Sequence, residues 1–368
     1  MRVSERSGFR PVLLFHPAGV FFPLAAAIAV VLPWLWLFPL TDPRLAHVRL
    51  GLFGFGGMTI CGYVMTAQRA WTGRSFPVPA LLVGALALGA RLASLGFPDS
   101  RWPIILLSFP MALMILWPVS GARRWDKVPL AMVPLMMVAA EAMVVEGWDI
   151  AGSLPIAISI LIFLVGSRLV SSFTAEAHVR RGLVAPRRPQ LWLGRAVLSI
   201  GFVDRGDLGT SALLAAISWI MAVSLPGLRL GQANGMLCIG YAGLIPGLLA
   251  MAAARSGLVP PLVQTHALSM AAMGPMILAV AARVTMRRTG GGELLPRRRH
   301  WIALVLLFGA AIMRGLAEVL DQRTMWLTTA GFGWSLAWVL FLSVHVQALL
   351  QPAPLPLLSA ERASRLKS

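Results

Sequence analysis

The chain has 368 residues, of which 58% are hydrophobic and only 12% are charged, and its formal net charge is +18. A soluble domain carries roughly a quarter charged residues, so this composition excludes an ordinary soluble globular protein. The basic residues form short clusters between apolar runs rather than a separate basic domain, which argues against nucleic acid as a partner.

Apolar runs of bilayer-spanning length recur from one end of the chain to the other. A helix needs roughly 20 apolar residues to cross the hydrocarbon core, where every backbone polar group must be bonded inside its own segment. The runs are continuously apolar and do not alternate with polar residues, which excludes a transmembrane β-barrel. The sequence therefore predicts an all-α, polytopic transmembrane helix bundle that forms a single integral domain over residues 1–368, with the lipid bilayer as its partner.

Eleven spans are clear from the apolar pattern. They are predicted at about residues 17–39, 48–68, 78–96, 102–119, 128–146, 150–173, 208–226, 233–254, 262–285, 300–320 and 326–349. Basic clusters follow the second, fourth and sixth spans. Because basic residues are retained on the cytoplasmic side of a membrane, we expect a cytoplasmic N-terminus.

With eleven spans, the most basic connection, within residues 283–299, would lie outside the cytoplasm, against this charge pattern. A weak or partly re-entrant crossing at residues 191–203 would restore it, so about twelve spans are expected. Residues 175–206 are predicted to be the longest polar cytoplasmic connection, and residues 352–368 a polar C-terminal tail.

Several enzyme classes are excluded by the motifs that the chain lacks. The sequence contains no G-x-x-x-x-G-K-[ST] phosphate loop, no H-E-x-x-H, no paired C-x-x-C and no G-x-S-x-G. ATP-driven transport by this chain alone is therefore not expected.

Charged residues inside predicted spans indicate function, because an ionised group there is costly unless it faces a partner or water. Glu141 lies in the middle of a span, and Arg91 and Arg314 are candidate partners. Glu318 stands one turn beyond Arg314, so these two can pair with each other. For Glu141 three interpretations stay open: a proton relay, a contact to an arginine of another helix, or a neutral buried carboxyl group.

Two segments that begin near a histidine stand out. The first is His47-Val-Arg-Leu-Gly-Leu-Phe-Gly-Phe55, and the second is Thr265-His-Ala-Leu-Ser-Met-Ala-Ala-Met-Gly-Pro-Met276. Together with Gly8-Phe-Arg-Pro11, Gly166-Ser-Arg-Leu-Val-Ser-Ser-Phe-Thr174 and Ile239-Gly-Tyr-Ala-Gly-Leu-Ile-Pro-Gly-Leu-Leu249, they resemble the NnrS family. The resemblance implies a twelve-span bacterial inner-membrane protein that binds haem and copper and takes part in the response to nitric oxide.

The chain departs from the family pattern at several histidines. The first family motif usually reads H-x-H-E-M-L-F-G-F, whereas Arg49 and Leu50 stand where its second His and its Glu belong. Arg288 stands in a turn that usually reads Gly-His-Thr-Gly. Arginine has no lone pair to offer a metal. Haem and copper are therefore candidate cofactors by resemblance, and the lost ligands argue against both in this chain.

The retained His47 and His266 are the candidate cofactor ligands. In a twelve-span topology both lie at periplasmic helix ends, where they can share one site. Met270 and Met273 follow His266 at i+4 and i+7, on the same face of an α-helix. Imidazole and thioether donors suit copper. In the alternative interpretation His47 is a residue at headgroup level and the two methionines only pack, because methionine commonly fills irregular gaps.

The sequence thus favours an NnrS-like protein of the nitrosative stress response, with nitric oxide or another small molecule as its ligand. A haem-free secondary transporter or sensor is the first alternative, because glycine- and proline-interrupted spans suit broken helices around a substrate site. A structural partner of a respiratory membrane complex is the second.

Overall fold

The computed structural model describes residues 12–73, 79–184, 191–204, 206–289 and 293–349, and these are almost entirely helical. The α-helices are, in chain order, α1 (Pro17–Val31), α2 (Pro43–Val48), α3 (Gly57–Thr72), α4 (Ala80–Gly96), α5 (Phe109–Gly121), α6 (Val128–Ala131), α7 (Val133–Val145), α8 (Leu154–Arg180), α9 (Leu191–Val203), α10 (Asp207–Leu228), α11 (Gln232–Ala242), α12 (Leu244–Arg255), α13 (Pro261–His266), α14 (Gly274–Ala282), α15 (Arg298–Leu316) and α16 (Arg323–Leu349).

Other helical geometries interrupt or extend these helices. Short 3-10 helices at Val12–Phe15 and Leu32–Leu37 flank α1. Wider π-helical turns form at Arg49–Gly56, Ile104–Ser108 and Ala267–Met273, each leading directly into an α-helix. Two short strands, β1 (Arg287–Arg288) and β2 (Leu294–Leu295), pair antiparallel, with Arg288 opposite Leu294.

Ten helical segments of the described ranges are long and apolar enough to cross a bilayer. They are Pro17–Leu37, Pro43–Thr72, Ile104–Gly121, Val128–Val145, Leu154–Arg180, Asp207–Leu228, Gln232–Arg255, Pro261–Ala282, Arg298–Leu316 and Arg323–Leu349. Each coincides with one of the predicted spans. The remaining predicted span, at residues 78–96, corresponds to α4, which has 17 residues. The prediction of an all-α, multi-pass membrane protein is confirmed.

The region of the proposed twelfth crossing is also helical. Helix α9 has 13 residues, which gives a length of roughly 20 Å, well short of a hydrocarbon core about 30 Å thick. A full crossing at this point stays a prediction. Helix α8 continues to Arg180, so the predicted connection at 175–206 contains helix at both ends. The predicted tail at 352–368 lies outside the described residues.

The described chain divides into two compact units. The first contains the residues up to Trp148 together with the end of α16 from Leu342, and the second contains Asp149–Phe341. The expectation of one integral domain stays a prediction.

Glycine lets helices of the second unit approach each other closely. Gly243 separates α11 from α12, and a Cβ atom built on it would lie 2.2 Å from the carbonyl oxygen of Ala271. A Cβ atom on Gly240 would lie 2.8 Å from the carbonyl oxygen of Pro275. Any side chain at these positions would collide with backbone, so this broken span packs directly against the span that carries His266.

Candidate functional site

Three charged side chains meet in the interior of the first unit. Arg49 begins the first π-helical segment, Arg91 lies in α4 and Glu141 lies in α7. Arg91 donates to Glu141 through Nη1 to Oε1 at 2.8 Å and through Nη2 to Oε2 at 2.6 Å. Arg49 donates through Nε to the same Oε1 at 3.1 Å. The side chains of Arg49 and Glu141 are 1% exposed and that of Arg91 is 5% exposed, so this charged triad is closed to solvent.

Neutral oxygen atoms provide further acceptors for the two guanidinium groups. Arg91 Nη2 donates to Ser108 Oγ at 2.9 Å, and Arg49 Nη1 donates to the carbonyl oxygen of Pro98 at 2.7 Å. Removing two cations and one anion from water is costly unless they bond to each other and to such acceptors. The arrangement meets most of that requirement: Arg49 Nη2 lies 3.0 Å from Glu141 Oε1 as an ion-pair contact but makes no hydrogen bond, and one buried positive charge is left in excess over Glu141.

A small cavity of about 30 Å³ lies against this triad. A space of this size holds about two water molecules or one diatomic molecule, since one water needs roughly 10–15 Å³. Its walls combine the ionic groups of Arg91 and Glu141 and the Ser108 hydroxyl with sulfur-containing and apolar side chains. The sulfur-containing residues are Met58, Cys61, Met111 and Met137.

The sequence alone did not indicate the role of Arg49, which was interpreted only as the loss of a family histidine. A usable signal was present, because an arginine at the start of a predicted span requires a partner. The partner is 92 residues away in sequence, so only the folded chain identifies it. Arg314, the other predicted candidate partner of Glu141, instead bonds Glu318 through Nη1 to Oε1 at 2.6 Å, and Arg323 adds a contact of 3.2 Å to the same oxygen.

His47 lies near the end of α2, just before the first π-helical segment. Its Nδ1 is 3.2 Å from the carbonyl oxygen of Leu32, and its ring centroid is 5.9 Å from that of Trp36. The ring is therefore held from one side by the end of the first span.

His266 is the last residue of α13, just before the third π-helical segment. Its Nδ1 is 3.0 Å from the carbonyl oxygen of Leu262. Both histidine-bearing helices have six residues, begin with a proline and run into a π-helix. Such π-helical turns are rare and occur frequently at functional sites.

The π-helical turn changes the helix geometry on which the grouping of His266 with Met270 and Met273 was predicted, and that grouping stays a prediction. The i+4 and i+7 argument assumed 3.6 residues per turn, whereas bonding from i to i+5 gives roughly 4.4 residues per turn. With that repeat, Met270 would stay near the direction of His266 and Met273 would point away from it. In agreement, Met273 is 1% exposed while His266 and Met270 are half-buried.

The two candidate ligand histidines belong to different units, His47 to the first and His266 to the second. A site shared between them stays a prediction. Across the described ranges, no group of three or more His, Cys, Asp or Glu side chains is arranged to hold a metal ion.

Comparison with known proteins gives one assignment. A search of curated proteins found no match. The family model described as NnrS protein matches residues 12–353, which include the charged triad and both histidines. This match covers nearly the whole chain and confirms the resemblance found in the motifs, so the chain belongs to the NnrS family.

Proposed function

We propose that this chain acts in the response to nitric oxide and nitrosative stress, as a multi-pass protein of the bacterial inner membrane with a cytoplasmic N-terminus. Family membership over residues 12–353 carries the proposal. The ligand would be nitric oxide or another small molecule, which is the size of molecule that the cavity beside the charged triad accommodates.

The two histidines fit the role of haem ligands in one respect. A metal-binding histidine commonly donates its other ring N–H to a carboxylate or backbone carbonyl. Both Nδ1 atoms are within hydrogen-bonding distance of a backbone carbonyl oxygen. A proton on Nδ1 leaves the lone pair on Nε2, the atom that would bind iron. Bound haem would supply nitric oxide binding if one of these histidines held its iron, and electron transfer if both did.

Copper has fewer suitable donors. His266 and Met270 offer an imidazole and a thioether of the kind that copper accepts. Met273 fits this set poorly, because its side chain is buried while that of His266 is half-exposed. We therefore propose His47 and His266 as the principal cofactor ligands.

A visible spectrum of the purified protein tests the haem proposal. Protein from haem-replete cells, measured reduced minus oxidised beside a copper assay, is expected to show a Soret band that His47→Ala or His266→Ala weakens or removes. His178→Ala is the matched control, because its Nδ1 contacts the carbonyl oxygen of Thr174 at 2.9 Å in the same i−4 geometry. A colourless, metal-free wild-type preparation overturns the proposal.

The charged triad favours a second candidate, a haem-free transporter or sensor. Buried ionisable residues within spans commonly mark proton relays and substrate pathways. In this case the wild-type protein is colourless, and Glu141→Gln changes proton-coupled uptake or response without preventing membrane insertion. If Glu141→Gln behaves as wild type in such assays, this candidate is wrong.

A further inference from the structure

The cavity against the charged triad is lined by hydrogen-bond donors that the chain does not fully use. We call this space the triad cavity. Its polar side chains are Arg91, Ser108 and Glu141, and its other lining residues are apolar or contain sulfur. All three polar residues belong to the first unit, and Arg91, the most exposed of them, is only 5% exposed. The donors and charges of these three residues therefore determine which ligand the cavity accepts.

Arg91 and Ser108 have donors to spare. A guanidinium group carries five N–H donors, and the bonds of Arg91 to Glu141 and Ser108 use three of them. Ser108 Oγ accepts one of these bonds, and its own O–H donates to no group among the residues that the structure describes. Buried donors without an acceptor are costly. A ligand that only accepts hydrogen bonds would remove this cost.

The charge of the triad favours the same kind of ligand. Two guanidinium groups, which stay ionised in proteins, face the single carboxylate of Glu141. Nη2 of Arg49 is buried and makes no hydrogen bond, although it lies 3.0 Å from Glu141 Oε1. Asp99 also interacts with Arg49, but it is exposed, so solvent and salt screen its charge. One positive charge of the triad has no buried counter-charge.

The sulfur atoms in the wall are compatible with an anion. The side chains of Met58, Cys61, Met111 and Met137 would suit a soft cation. A cation in this place would meet the excess positive charge of the triad at short range, where burial strengthens the repulsion. Thioethers are polarizable, and a thiol is a weak donor, so these groups can also pack against a soft anion. Electrostatics therefore favours an anion over a metal ion.

We propose that the triad cavity binds a small monovalent anion such as chloride or bromide. This ion accepts the unused N–H and O–H groups and cancels the excess charge. A monatomic anion takes about the space of one water molecule, and the cavity of about 30 Å³ holds about two. The inference rests on the proposed function in one respect, the use of this cavity by a small ligand, and it names the chemical class of that ligand. Binding requires neither haem nor copper.

Thermal unfolding of the wild-type protein, purified in neutral detergent with gluconate as the only anion of the buffer, tests the proposal. At constant ionic strength, stepwise replacement of gluconate by chloride or bromide is expected to raise the unfolding temperature in a saturable way. Gluconate, with its six-carbon chain, is too large for the cavity and gives the baseline. A shift that grows without saturation is a general salt effect and overturns the proposal.

The Glu141→Gln variant tests the sign of the charge that the cavity prefers. Glutamine removes the negative charge and leaves both guanidinium groups in place, so chloride should bind about tenfold more tightly or better. A site for a cation or a neutral gas molecule predicts no such gain. Chloride binding that is unchanged or weaker in this variant overturns the proposal.

Two further variants locate the ion. Ala87 lines the cavity and is 4% exposed, so Ala87→Val fills part of the space and keeps the charged side chains. We expect it to weaken chloride binding by about tenfold or more. Ala85→Val is the matched control, because Ala85 is exposed on the same helix, and its effect should stay below about twofold. Ser108→Ala should weaken binding by about tenfold, the loss of one hydrogen bond to a charged group.

Two other results would overturn the proposal: no saturable effect of either halide on the wild-type protein, or equal losses of affinity in Ala85→Val and Ala87→Val. The wild-type titration decides the question even if a variant fails to fold. Failure of the haem proposal is distinguishable from failure of this one. A colourless protein that binds chloride contradicts the haem proposal alone, and a haem-loaded protein that does not bind chloride contradicts the anion proposal alone.

Discussion

Replacement of Glu141 by glutamine would test whether the charged triad is the main polar interaction of the first unit. Glutamine keeps the size and one acceptor oxygen of the side chain and removes its charge. The two guanidinium groups of Arg49 and Arg91 would then remain buried without the carboxylate that bonds both of them. We expect the variant to insert into the membrane and to be markedly less stable than the wild-type protein.

The magnitude follows from the bonds that the carboxylate makes. Glu141 accepts three hydrogen bonds from two cations, at 2.6, 2.8 and 3.1 Å. Loss of one partner from a buried ion pair costs on the order of 3–5 kcal/mol, because the remaining charge stays desolvated. The Arg91→Gln/Glu141→Gln double variant should recover part of this loss, with a coupling free energy of roughly 1–3 kcal/mol.

Reversible unfolding in a fixed detergent mixture, followed by tryptophan fluorescence, would measure these free energies. Glu146→Gln is the matched control, since Glu146 pairs with Arg101 and the arginine side chain is 66% exposed. A surface pair of this kind contributes about 0–1 kcal/mol. If Glu141→Gln costs no more than Glu146→Gln, the triad does not stabilise the unit and this reasoning is refuted.

Two further predictions concern the second unit. Gly243→Ala should lower the free energy of unfolding by about 1–3 kcal/mol through overpacking, because its Cβ would meet a carbonyl oxygen of the third π-helical segment at 2.2 Å. The control Gly309→Ala has open space around its Cβ and should be neutral or stabilising. Equal losses of stability in the two variants would contradict this prediction. Burial raises the pKa of Glu318, but hydrogen bonds from Arg314 and Arg323 outweigh it and hold that pKa below its ordinary value of 4.5. The Glu318 contribution to stability is therefore complete above about pH 4.5 and is lost as the pH falls through the lower pKa that Glu318 has in the folded protein. Melting curves from pH 7 to pH 3 should show less acid sensitivity in Glu318→Gln than in the wild-type protein. Unchanged acid sensitivity would contradict a stabilising role of the Glu318 charge.

The positions of the long apolar helices along the chain were predictable, because the bilayer imposes length and continuous apolarity on every crossing helix. Helix ends were less predictable. The second span begins at Pro43, five residues before the predicted boundary. Asp42 and Pro43 carry an ordinary start signal, since the Asp42 carboxylate accepts from the backbone N–H of Leu45 at 2.9 Å. An apolarity criterion overlooks this signal, because the first turn of the helix is polar.

The π-helical turns and the charged triad could not be derived from residue types. An i to i+5 bonding pattern depends on packing around the segment, and the amino acids of Ala267–Met273 are compatible with an ordinary α-helix. Glu141 and Arg91 were both recognisable as intramembrane charges that need partners. The choice of Arg49 as the second partner depends on tertiary packing, which no local pattern encodes.

The order of the triad along the chain has a consequence for synthesis. Arg49 and Arg91 precede Glu141 by 92 and 50 residues. At about 5–20 residues per second, the ribosome takes roughly 3–10 s to proceed from Arg91 to Glu141. During this interval two cationic helices have left the ribosome without their counter-charge. Lateral release of α4 into lipid before α7 arrives would expose an unneutralised guanidinium, so the early helices of the first unit should stay at the insertion machinery until the carboxylate joins them.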